Sequence, residues 1–66
     1  MTYRVSTDGH EPLLITASPS HLDALLRYIV AHDIVANPGG VKWRGSDSAG
    51  WTADQGGRLY RVEVVP

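Results

Sequence analysis

The stretch from Val41 to Val65 holds two turn signals, spaced so that one antiparallel register accounts for nearly every residue between them. Asp54-Gln55-Gly56-Gly57 reads as a tight turn, because both glycines accept a positive φ without a Cβ penalty. Folding the chain there places Ala53 opposite Arg58 and Trp51 opposite Tyr60. A second turn across Gly45-Ser46-Asp47-Ser48-Ala49-Gly50 places Trp43 opposite Trp51. Side chains alternate across a strand. Val41, Trp43, Trp51, Ala53, Tyr60, Val62 and Val64 therefore share one face of a three-stranded meander. Lys42, Arg44, Thr52, Leu59, Arg61 and Glu63 share the other.

Upstream, Thr2 to Ser6 alternates as a strand does, with Tyr3 and Val5 on one side and Thr2, Arg4 and Ser6 on the other. Asp8-Gly9 is a turn signal, and Leu13 to Thr16 can return antiparallel, with Pro12 at the start of that strand. Ser18-Pro19 predicts a helix start: Ser18 can cap, and Pro19 suits the first helical position. Ser20 with Asp23 is a competing cap. Leu22, Leu25, Leu26, Ile29 and Val30 then form one apolar stripe at helical spacing. Asp23 and Arg27, four apart, can pair on the wet face. The helix should fade near His32 or Asp33, Ile34 and Val35 should be buried, and Asn37-Pro38-Gly39-Gly40 should form a loop. The expected architecture is α+β, a single domain over residues 1–66 in the order ββαβββ. One helix packs on one face of an antiparallel sheet, because the helix stripe and the aromatic face are the two largest apolar surfaces.

A chain of 66 residues buries only a modest share of its surface. It has no cysteine, so neither a disulfide nor a thiolate metal site can staple it. Self-association into a homodimer is therefore an expected option. The net charge of -1 argues against a polybasic tail, and the short apolar runs argue against a membrane partner. No charged-then-apolar leader opens the chain, so a soluble, cytoplasmic protein is expected. The preference for Arg over Lys, with much Ala, Gly, Val and Asp, resembles the usage of a high-G+C bacterial genome or its phages, so a bacterial or phage origin is an expectation by association.

No catalytic, metal or nucleotide signature stands out. His10, His21 and His32 lie eleven residues apart, and along a helix the last two would stand about 16 Å apart, too far to share an ion. No cofactor is expected. Ser18 or Ser20 beside His21 is better spent on capping than on catalysis, so an enzyme is not expected. Gly39-Gly40 and Gly56-Gly57 lack the lysine and helix of a phosphate loop. What is left is the polar sheet face. Lys42, Arg44 and Arg61, joined by Arg4 if the first strand shares the sheet, form a basic surface around Leu59, with Glu63 partly neutralising Arg61. Most other acids fall in turns or on the helix. Such a face suits contact with an acidic protein partner, as in a small regulatory module. Nucleic acid is the alternative ligand for the same cations, and an unpaired sheet edge is a second contact surface.

Overall fold

The computed structural model describes residues 1–36 and 38–66. The order is β1 (Thr2–Thr7), β2 (His10–Ile15), α1 (His21–Ala31), β3 (Val41–Ser46), β4 (Gly50–Gln55) and β5 (Arg58–Val65). All five strands join one antiparallel sheet in the order β2-β1-β5-β4-β3. The expected ββαβββ fold is the observed one, and the first hairpin shares the sheet with the meander through the β1–β5 pairing. Asn37 of the expected loop lies outside the described residues; Pro38 and Gly39 form a bend. Among the described residues no helix is long and apolar enough to cross a membrane.

The faces of the meander are as expected, but its register is not. Ala53 pairs with Tyr60 rather than Arg58, Trp51 with Val62 rather than Tyr60, and Trp43 with Ala53 rather than Trp51. The turns are tighter than the spacing suggested. Gly56 (φ 59°) and Gly57 (φ 88°) make a two-residue turn of the mirror-image type whose twist matches the strands. Asp54 and Gln55 thereby become strand residues. Each register moves by two, an even number, so no side chain changes face. In the first hairpin β2 begins at His10, and Pro12 lies inside the strand rather than at its start. Glu11 and Pro12 there oppose Ser6 alone, so Pro12 sits at a bulge on an edge strand, where its missing N–H is tolerated.

The helix is capped by Ser20, not Ser18: the Ser20 hydroxyl accepts from the Asp23 amide at 3.1 Å. Ser18 is fully buried and donates instead to the Asp23 carboxylate at 2.6 Å, while its amide donates to the Met1 carbonyl. Asp23 also pairs with Arg27 across one helical turn at 3.8 Å, as expected. The apolar stripe is rolled relative to the expected one. Ala24, Leu25, Tyr28 and Ile29 are buried, whereas Leu22, Leu26 and Val30 are exposed, Val30 at 78%. Tyr28 is fully buried, and its hydroxyl donates to the Glu11 carbonyl at 2.9 Å, so this ring delivers bulk without stranding its polar tip. Leu25 and Ile29 join Tyr3, Val5, Ile15, Ala53, Tyr60 and Val62 in one core. Ile34 packs on its rim, but Val35 is exposed and does not contribute.

The helix lies over β1, β5 and β2, and the β3–β4 end of the sheet meets the helix start and the segment that follows the helix, where the Gln55 side-chain amide donates to the Gly39 carbonyl at 3.2 Å. His21 stacks on Trp51 with ring centroids 4.1 Å apart and meets Trp43 edge-on at 4.5 Å. Both indoles face the helix side, as expected, but they are half-buried rather than central to the core. Burial pushes the hydroxyl pKa of Tyr3, Tyr28 and Tyr60 above its ordinary value.

Candidate functional site on the outer sheet face

Alternation along each strand sends every second side chain away from α1. All five residues singled out from the sequence, Arg4, Lys42, Arg44, Leu59 and Arg61, lie on this outer face and are exposed. They are not equally close. Lys42 faces Asp54, which faces Leu59 on the next strand; Arg44 faces Thr52, which faces Arg61. Lys42, Arg44 and Leu59 line one shallow depression with Thr52 and Asp54. Leu59 and Arg61 border a second one with Ser6, Thr7 and Asp8. Arg4 stands apart on β1, between Leu14 of β2 and Glu63 of β5.

The cations differ in freedom. Arg61 is tied down, with its guanidinium donating to the Ala49 carbonyl at 3.0 Å and lying 3.8 Å from the Glu63 carboxylate. Arg4, Lys42 and Arg44 make no ion pair among the described residues. Asp54, expected in a turn, sits in this face between Lys42 and Leu59. Its carboxylate accepts the Gly57 amide at 3.0 Å, which pins it to the hairpin. The surface is thus a net cationic field with Asp54 and Glu63 set within it, Asp8 at its border, and two exposed leucines, Leu14 and Leu59, each 60% exposed. Leu14 was missed from sequence. Its signal was the period-two pairing with Arg4, hidden because Leu13, Leu14 and Ile15 read as one apolar run.

The histidines group differently from the expectation. His10 belongs to β2 and meets His32 edge-on, with ring centroids 5.2 Å apart. His32 is the helix C-cap residue, and its Nε2 donates to the Glu11 carbonyl at 2.8 Å. Tyr28 and His32 therefore share one carbonyl and clamp β2 to the helix end. Among the described residues no three His, Cys, Asp or Glu side chains group as a metal site would require. Near the other helix end, the Ser18 hydroxyl is spent on Asp23, and His21 lies on Trp51.

Comparison with protein families, with curated proteins and with solved structures finds no match for this chain.

Proposed function

We propose that this protein is a small binding module, not an enzyme, and that it regulates an acidic protein partner by contact through its outer sheet face. One observation carries the reading: the face opposite the helix is open, and it sets exposed Leu59 and Leu14 among cations of which three are unpaired among the described residues. An apolar anchor within a charged rim is the usual anatomy of a protein contact. Unpaired guanidinium and ammonium groups at such a rim favour carboxylates and speed encounter with an acidic surface.

A protein ligand fits better than nucleic acid. The aromatic rings that could stack on bases lie on the helix side, not among the cations. Asp54 and Glu63 also interrupt the cationic field, which a phosphate backbone would meet as repulsion. The test compares the protein with a Lys42→Glu, Arg44→Glu, Arg61→Glu variant as bait. The expected result is an acidic protein retained by the former and lost by the latter, with no retardation of DNA or RNA at low salt. Nucleic-acid binding that weakens log-linearly with salt, or identical capture by both baits, would overturn the proposal.

A further inference from the structure

The sheet has two edges, and only one is closed. On β2 the edge is interrupted by Pro12, bent by the bulge, and occupied where the Glu11 carbonyl receives both Tyr28 and His32. These are the devices by which proteins prevent a strand from pairing further. On β3 the run Val41 to Arg44 has no proline and, among the described residues, pairs in unbroken register with β4 alone.

Which backbone groups of β3 are free follows from the hairpin geometry. A two-residue turn makes its flanking pair, Gln55 and Arg58, a doubly hydrogen-bonded one. Bonded and non-bonded pairs alternate along an antiparallel ladder. Gln55, Ala53 and Trp51 therefore bond toward β5, and Asp54 and Thr52 bond toward Lys42 and Arg44 of β3. The N–H and C=O groups of Val41 and Trp43 are left pointing away from the sheet. Their side chains lie on the helix side, where Trp43 is half-buried beside His21. The neighbouring Lys42 and Arg44 project from the outer face.

Resting on the reading of the outer face as the contact surface for an acidic partner, we infer that the β3 edge docks an extended antiparallel strand of that partner, alternating apolar and acidic residues. The charges select the occupant. In antiparallel pairing, residues directly opposite share a face. An apolar residue opposite Trp43 packs on the indole, and acidic residues on either side of it fall opposite Lys42 and Arg44. A second copy of β3 centred on Trp43 would instead set Lys42 against Arg44 twice, a like-charge arrangement that edge lysines commonly enforce against self-pairing. On the inner side Thr52 faces Arg44 and leaves its charge uncompensated, while the Asp54 carboxylate facing Lys42 accepts the Gly57 amide and forms no ion pair with Lys42, so it offsets that charge only in part.

The probe is a short, end-blocked peptide alternating valine and glutamate, added to the isotope-labelled protein. Near 90% saturation, exchange of the Val41 and Trp43 amides should slow about tenfold, since only the unbound fraction exchanges. The valine amides of the bound peptide face Val41 and Trp43, so methylating those nitrogens should abolish binding, and methylating the glutamate nitrogens should not. A Lys42→Glu, Arg44→Glu variant should lose this peptide and gain its valine–lysine counterpart. Chemical-shift changes confined to Arg4, Leu59 and Arg61, with the edge amides unprotected, would overturn the inference and leave the outer-face reading standing. Concentration-dependent protection of Val41 and Trp43 in the protein alone would assign the edge to a second copy, and failure to bind the peptide at all would also overturn it.

Discussion

Two adjacent leucines on α1 provide the sharpest test of how the helix is seated. Leu25 is fully buried, and Leu26 is 50% exposed, although sequence periodicity assigns both to the core. Leu25→Ala removes a side chain enclosed on all sides and leaves a cavity the sheet cannot collapse into, a loss of about 2–5 kcal/mol. A domain of this size is stable by roughly 3–10 kcal/mol, so the variant should stand near the edge of unfolding. Leu26→Ala removes a half-wet side chain and gains a better helix former, so its net change should lie within about 1 kcal/mol. Urea unfolding followed by far-ultraviolet circular dichroism, with indole fluorescence as a second probe, measures both. For a slope of about 1 kcal/mol per molar urea, Leu25→Ala should lower the midpoint by about 2 M or more and Leu26→Ala by less than about 1 M. Equal losses would mean that the helix is rolled to bring Leu26 beneath it, and the inside and outside assigned to α1 would fail together.

Gly45→Ala should destabilise by about 1–3 kcal/mol, because Gly45 has a φ of 113° and a methyl there would overlap the Gly50 carbonyl oxygen. Gly40→Ala meets nothing nearby and should be neutral or slightly stabilising, and equal urea midpoints for the two variants would refute the turn geometry. Burial raises Tyr3, Tyr28 and Tyr60 above their ordinary value of 10.0, so the folded state holds these protons more tightly than the unfolded one. Their contribution is intact below that pH and is lost as pH rises through the folded values. Tyrosinate absorbance should therefore grow in step with alkaline unfolding; ordinary titration of all three in a chain that stays folded would contradict their burial.

The strands, the helix and the division of the sheet into an apolar and a cationic face were legible because each rests on local periodicity. Face is protected even against a wrong turn length, since the registers at Trp43, Trp51 and Ala53 moved by two and kept their sides. The cap was legible as a pair of candidates, and Ser20 prevailed because Ser18 is drawn inward to Asp23. The roll of the helix was not legible. Leucine spacing favoured Leu22, Leu26 and Val30, yet Tyr28 offers more area and finds a carbonyl for its hydroxyl on β2, which no local pattern reveals.

The sequence by itself determined which residues alternate and where the chain must turn, and so which side chains travel together. Only the tertiary structure decided which strands neighbour one another, and hence that Arg4 shares a surface with Arg61 and that β3 is left at an open edge. The physical reason is one of range. Alternation and turn chemistry act over a few residues, whereas strand order and helix roll are set by packing between segments far apart in the chain, where ring volume and hydrogen-bond partners outweigh spacing.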